Sequence, residues 1–152
     1  ETLNMDKSGG LVTLRGEEHN FSYRHSRIQD DGLLCLRVVF MLEKGDSEEI
    51  RAKMNELNSH RRNRQPLNMP SAGSVFKRPL GQYAGKLIEN SGLKGFSIGG
   101  ARGSEKHCGF IVNTGDATAS DVIRLIEHVQ NTVYEKTGYH LEPEVKIVGG
   151  IR

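Results

Sequence analysis

The stretch SDVIRLIEHVQNTVYEKT, residues 120–137, carries the clearest structural signal in the chain. Its apolar residues recur at the i, i+3, i+4, i+7, i+11 spacing that places side chains on one face of an α-helix. Gly138 follows directly, as is typical of the residue that ends a helix. The stretch therefore predicts an amphipathic helix packed on a core through Val122, Leu125, Ile126, Val129 and Val133.

Short elements are predicted around this helix. A short helix is expected over Gln82–Asn90, with Tyr83, Leu87 and Ile88 facing inward. Nine of the eighteen glycines lie between Gly81 and Gly115, which indicates tight turns around short strands. The expected strands cover 96–98, 109–113 and, near the C-terminus, 145–148.

The first part of the chain reads as strands. Two short strands, 2–5 and 11–14, flank a turn at 6–10. The run LLCLRVVFML, residues 33–42, predicts a strand covered on both faces. The 32 preceding residues can supply few covering layers, so we expect this end to be cut from a larger lobe.

A helix is predicted to start at Asp46, because Glu49 three residues later completes a capping box. Ile50, Met54 and Leu57 mark its expected buried face, and Pro66 bounds it. Strands first, then helices and strands mixed, indicate an α+β fold. The predicted domains are 1–45 and 46–152.

Composition narrows the function classes. The 21 Lys and Arg residues nearly balance the 19 Asp and Glu residues, which disfavours a nucleic-acid partner. The apolar run 33–42 is interrupted by Arg37 and is too short to span a membrane. The start of the sequence does not read as a secretory signal peptide. Cys35 and Cys108 are isolated, which fits a reducing cytoplasm better than disulfides, and neither the cysteines nor the histidines show metal-ligand spacing.

The residues alone allow two interpretations of each of two motifs. The basic run HRRNR, residues 60–64, is either a solvated helix end or a site for phosphate groups of a nucleotide or flavin. In PSAGSVFKRP, residues 70–79, small residues surround Ser74, and Lys77 and Arg78 follow it. Glycine beside a serine lets a ligand approach the backbone, but an ordinary turn has the same pattern.

Taken together, ordered segments along the chain resemble a known family. They are YRHS at 23–26, RRNRQP at 61–66, PSAGSVFKRP at 70–79, AGKLIE at 84–89, GLKG at 92–95, IGGA at 98–101, SEKH at 104–107, FIVN at 110–113, ATASDV at 117–122 and LEPEV at 141–145. The series is similar to the C-terminal half of UDP-N-acetylenolpyruvoylglucosamine reductase, in the shorter form found in Gram-positive bacteria.

The resemblance implies an FAD enzyme of peptidoglycan precursor synthesis. It implies oxidation of NADPH and reduction of the enolpyruvyl ether on UDP-N-acetylglucosamine to the lactyl ether of UDP-N-acetylmuramate. By motif, it gives Ser74 the role of proton donor and adds Arg24 and Glu144 to the catalytic set. It further assigns Tyr23, Lys77 and Arg78 to the UDP-sugar and Arg61 to flavin or phosphate.

The same resemblance places residues 1–45 at the end of a flavin-binding lobe of antiparallel strands and 46–152 in the substrate-binding domain. The family's N-terminal half, which holds most of the FAD, is missing from the sequence. We therefore expect that half to be a partner, and this chain to be inactive without it. The alternative is a non-catalytic UDP-sugar-binding module.

Overall fold

In the computed structural model, residues 1–149 are described, and the chain divides into two units, Glu1–Ser47 and a second from Glu48 onward. The division falls close to the predicted boundary. The assignment of the first unit to a flavin lobe and of the second to substrate binding stays a prediction. The mixture of helices with antiparallel sheets confirms the α+β class.

The first unit is built on a three-stranded antiparallel sheet. Its strands β1 (Thr2–Met5), β2 (Leu11–Leu14) and β3 (Leu34–Val38) lie in the order β2-β1-β3. The predicted turn forms because Asp6 Oδ1 accepts backbone hydrogen bonds from Ser8, at 2.8 Å, and from Gly10, at 2.9 Å. A 3₁₀ helix (Gly16–His19) and α1 (Arg27–Asp30) connect β2 to β3.

The prediction of a strand at 33–42 covered on both faces is wrong. Strand β3 spans only Leu34–Val38, lies at an edge of the sheet and is exposed at every residue. The apolar run continues exposed as far as Leu42, with Phe40 76% and Met41 99% accessible. An apolar run is buried only where other layers cover it, and no described element of this unit covers β3.

Helix α2 (Ser47–Arg64) begins and ends where the sequence predicted, directly after Asp46 and before Pro66. The predicted burial of its apolar face is wrong. Ile50, Met54 and Leu57 are 49%, 58% and 52% exposed, and no residue of the helix is buried. The side chains line one face of α2, but within residues 1–149 no element of the second unit buries that face.

The second unit holds the main core. Strands β4 (Ser71–Ser74), β5 (Ser97–Ile98), β6 (Ala101–Gly103) and β7 (Phe110–Asn113) form an antiparallel sheet in the order β4-β7-β6-β5. Helices α3 (Ala84–Asn90) and α4 (Ala119–Thr137) complete this unit. In the core cluster, the buried face of α4 packs with residues from α3, from β7 and from the segments that follow β4 and α4. Among them are Val75, Phe76, Leu87, Ile88, Ile111 and Leu141.

Two smaller expectations in this unit are wrong. Tyr83 is 63% exposed, not inward, and the Arg78 guanidinium carbon lies over its ring, 4.0 Å from the ring centre. Residues 145–148 form no strand, and the extended pairing at that end of the chain is a single bridge between Phe76 and Pro143. Strands β4 and β6 were not predicted from the sequence.

The start of α4 is fixed by a reciprocal cap. Thr118 Oγ1 accepts from the Asp121 amide at 3.1 Å, and Asp121 Oδ2 accepts from the Thr118 amide at 3.0 Å. Arg124 donates to Asp121 Oδ1 at 2.5 Å. The two hydrogen bonds with Thr118, followed by the one from Arg124, lower the pKa of Asp121 to about 2.

Replacing Asp121 with asparagine is expected to destabilise the second unit at neutral pH. Because the folded-state pKa lies below the ordinary value of 3.8, the stabilisation is present above that value and is lost as the pH falls toward 2. Urea unfolding of the chain and of Asp121→Asn should therefore differ at pH 7 and converge near pH 2. Glu127→Gln, on an exposed position of the same helix, serves as control. A gap that stays constant between pH 7 and pH 2 would contradict the assignment.

Candidate active site around Ser74

Ser74 ends strand β4 with its side chain exposed. It is paired with Phe110 of β7, and the next residue, Val75, donates its backbone N–H to Gly109 at 2.8 Å. Val75 and Phe76 are buried, so the core anchors the chain immediately after the serine. The Ser74 hydroxyl thus lies at the surface, while the buried residues that follow it hold its backbone in place.

Glu144 is held beside this segment by the backbone. Its N–H donates to the Val75 carbonyl at 2.7 Å, and the neighbouring Pro143 forms the bridge with Phe76. Glu144 is half-buried. Two residues far apart in the sequence, Ser74 and Glu144, therefore lie on adjacent extended segments.

The two cations of the motif are held differently. Lys77 donates its backbone N–H to Glu142 at 2.8 Å, and its ammonium forms an ion pair with the Glu142 carboxylate. The Arg78 guanidinium carbon lies over the Tyr83 ring, 4.0 Å from its centre, and Nε donates to the Gln82 carbonyl at 3.3 Å. This contact holds a planar, permanently charged group of the kind that suits phosphate or carboxylate oxygens.

Tyr23 and Arg24 belong to the first unit. They occupy a two-residue turn closed by reciprocal backbone hydrogen bonds of 3.1 and 3.2 Å between Ser22 and His25. Both side chains are exposed, and the Arg24 guanidinium lies 5.9 Å from the centre of the Tyr23 ring. Arg24 has a φ of +57°, in the left-handed region that favours glycine.

Arg61, near the end of α2, lines a cleft of about 380 Å³ together with Asn55, Asn58, Arg62 and Leu67. A second cleft, of about 540 Å³, combines Arg62 with Arg102 and Lys106 of the sheet region. Lys106 Nζ donates to the Arg62 carbonyl at 2.6 Å and ties the helix end to the loop after β6. The basic run stands out in the sequence, but a role for Arg102 and Lys106 beside it was not predictable, because only the fold brings them to the helix end.

Neither a metal site nor a membrane helix is seen in the part of the chain that the structure describes. Residues 1–149 contain no group of three His, Cys, Asp or Glu side chains placed to hold a metal ion. No helix within the same range is long and apolar enough to cross a bilayer. Both cysteines are free, and burial raises the pKa of the Cys108 thiol.

Comparison with known proteins points to one family. A sequence model of the C-terminal domain of UDP-N-acetylenolpyruvoylglucosamine reductase matches residues 65–148. The reductase of Caldanaerobacter subterraneus subsp. tengcongensis is 56% identical over 145 residues, which are 95% of this chain and 48% of that protein. The reductase of Limosilactobacillus reuteri is 52% identical over 149 residues, 98% of this chain and 50% of that protein.

A solved structure agrees with these sequence matches. The crystal structure of UDP-N-acetylenolpyruvylglucosamine reductase (MurB) from Thermus caldophilus superimposes with a TM-score of 0.79 at 36% identity. The match covers 96% of this chain and 52% of that one. The chain thus spans about half the length of the relatives that it matches.

Proposed function

The chain belongs to the family of UDP-N-acetylenolpyruvoylglucosamine reductase C-terminal domains, and from that membership we infer that it is the catalytic and substrate-binding half of such a reductase. The whole enzyme would reduce UDP-N-acetylglucosamine enolpyruvate to UDP-N-acetylmuramate with NADPH, for peptidoglycan precursor synthesis in the cytoplasm. The observation that best supports this role is the placement of Ser74 and Glu144 on adjacent segments anchored by the core.

Ser74 is the proposed proton donor. After hydride reaches the enolpyruvyl methylene carbon, negative charge builds on the neighbouring carbon, which must gain a proton. A serine hydroxyl is protonated throughout the working pH range, but donation requires stabilisation of the alkoxide left behind. Arg78 offers a fixed positive charge four residues away. Lys77 is a second cation near the serine, and its ammonium forms an ion pair with the Glu142 carboxylate.

Arg24 and Glu144 are proposed to act on the substrate carboxylate. The Arg24 guanidinium matches a carboxylate with two parallel hydrogen bonds and favours the charge that develops beside it. Glu144 can approach the same carboxylate when it is protonated or shares a hydrogen bond through arginine or water. Tyr23 is proposed to contact the UDP-sugar.

The cleft at Arg61 fits a phosphate-bearing cofactor in its chemistry. Two guanidinium groups and two asparagine amides line it, and these donors suit phosphate and flavin oxygens. FAD, when bound, would supply the carrier of hydride between NADPH and substrate. Arg61 is therefore proposed to hold part of the cofactor, with most of the remaining contacts coming from the other half of the enzyme.

That other half is the proposed protein partner. The matched relatives are about twice as long as this chain, and the chain leaves two apolar surfaces exposed, on β3 and on α2. Exposed apolar surfaces of this kind mark contacts with other protein segments. No nucleic acid or membrane enters the proposal.

A chimera tests the function directly. The part of the Caldanaerobacter reductase outside the matched region is joined to this chain, with the chain alone and the donor part alone as controls. We expect the chimera to retain flavin and to sustain continuous turnover of NADPH only when the enolpyruvyl substrate is present. The chain alone should be colourless and inactive.

Three outcomes would contradict the proposal. A folded, flavin-loaded chimera that reduces no substrate would remove the catalytic assignment. Binding of UDP-N-acetylglucosamine to the chain by calorimetry, combined with such an inactive chimera, would support the non-catalytic module instead. Stoichiometric flavin and steady turnover by the chain alone would show that it needs no partner half.

A further inference from the structure

The loop from Ser104 to Gly109, which joins β6 to β7, is tightly folded beside Ser74. The Ser104 amide donates to the Phe110 carbonyl at 2.8 Å and closes the loop. The Ser104 hydroxyl, in a residue only 4% exposed, accepts from the amides of Lys106 at 3.2 Å and His107 at 3.4 Å. These hydrogen bonds hold the backbone from which the His107 side chain extends.

The His107 imidazole is connected to the serine strand through one glycine. Its Nδ1 accepts a hydrogen bond from the Gly109 amide at 3.2 Å. The Gly109 carbonyl in turn accepts from the Val75 amide at 2.8 Å, and Val75 directly follows Ser74. A single residue, Gly109, thus contacts the ring through its N–H and the backbone that presents the hydroxyl through its C=O.

Two glycines leave room for this ring. A Cβ on Gly109 would lie 3.1 Å from His107 Cε1 and 3.7 Å from Ser74 Oγ, so the imidazole and the hydroxyl flank the same small position. A Cβ on Gly85, in α3, would lie 3.5 Å from the same ring carbon. Phe110 packs edge-on against the ring, with 5.0 Å between the centroids. The ring therefore lies close to α3, and the ring and the Ser74 hydroxyl both lie near the side of Gly109 from which a Cβ would project.

We propose that His107 is a positioning residue for Ser74, a role that rests on the function proposed above. As the acceptor for the Gly109 amide, it holds the Gly109 carbonyl in the orientation that binds Val75 and so sets the direction of the Ser74 hydroxyl. Nδ1 can accept only when it carries no proton, so the neutral ring has its proton on Nε2. Its contribution comes from the acceptor atom at Nδ1.

This assignment can be separated from simple packing by choice of substitution. Asparagine can accept a hydrogen bond from the amide two residues on, as His107 does. Phenylalanine keeps a ring of similar size but has no acceptor. His107→Ala lacks both. The three variants in the chimera therefore distinguish the acceptor from the bulk of the side chain.

We expect His107→Ala and His107→Phe to slow reduction of the enolpyruvyl substrate between about ten- and a hundredfold, the range for small misplacement of a reacting group. Oxidation of NADPH in the absence of that substrate, and the KM for the substrate, should change little. His107→Asn should restore most of the rate. An asparagine variant as slow as alanine, or a phenylalanine variant at the wild-type rate, would overturn the proposal.

A second readout does not depend on activity. In ¹⁵N-labelled chain, the amide resonances of Gly109, Val75 and Ser74 should shift in the alanine and phenylalanine variants and return toward wild type with asparagine. An unshifted Ser74 amide in His107→Ala would overturn the positioning role. A wild-type chimera without activity would instead count against the proposed function, and the resonances would still decide the role of His107.

Discussion

Ser74→Ala in the chimera is expected to slow reduction of the enolpyruvyl substrate by at least ~10²-fold, the usual contribution of a positioned general acid. The substitution removes the only group that Ser74 could use to deliver a proton to the carbon beside the carboxylate. It leaves the backbone pairing with Phe110 and the buried anchors Val75 and Phe76 in place. The half-reaction in which NADPH reduces the flavin should therefore proceed at nearly the wild-type rate.

Stopped-flow absorbance measures the two half-reactions separately. Ser71→Ala is the matched control, because Ser71 lies on the same strand, is also exposed, and its hydroxyl accepts a local hydrogen bond from the Gly73 amide at 3.3 Å. It should leave both half-reactions unchanged. If Ser74→Ala slowed NADPH oxidation instead, or slowed neither half-reaction, the serine would be a structural residue.

The second large effect is expected at Gly100, where two backbone segments approach closely. A Cβ on Gly100 would lie 2.3 Å from the Ala117 backbone nitrogen, a distance at which one segment must move. That movement would disturb the bond from the Ala117 amide to Asn113 Oδ1, now 3.0 Å. Gly100→Ala should destabilise the second unit by about 3 kcal/mol, as overpacking of a tight site does.

Thermal and urea unfolding measure the loss of stability caused by Gly100→Ala, and Gly85→Ala provides the comparison. Gly85 lies in α3, where a Cβ would meet only ordinary contacts of 3.4 Å or more. Replacing a helical glycine with alanine is expected to stabilise by about 0.5–1 kcal/mol. Equal effects of the two substitutions would show that the approach at Gly100 is not tight.

Elements whose signals are local were predictable from the sequence. Helix α4 follows from its apolar spacing and from Gly138, which has the left-handed backbone expected at a helix end. Helix α2 has the predicted bounds, but burial of its apolar face was wrongly predicted, as was that of β3. Apolar spacing shows which side chains can be buried together. Whether they are buried depends on covering layers, which another polypeptide segment can supply.

The candidate site was predictable only in part. Ser74 stands out in its motif, although β4 itself was missed because its four residues are small and include a glycine. The pairing of Val75 with Glu144 depends on the return of the chain after α4, and no local pattern specifies it. His107 was part of a quoted motif without a role, since its link to Ser74 runs through backbone atoms.

At the Arg24 turn, the residue that would give the more stable fold differs from the residue that the proposed reaction needs. With φ at +57°, an arginine here costs roughly 1 kcal/mol more than a glycine would. Selection for thermal resistance alone would therefore favour glycine at position 24 and discard the guanidinium that the proposed reaction requires. A library screened only for survival of heat should accumulate catalytically dead glycine variants at this turn, while one screened for cell-wall synthesis should keep the strained arginine.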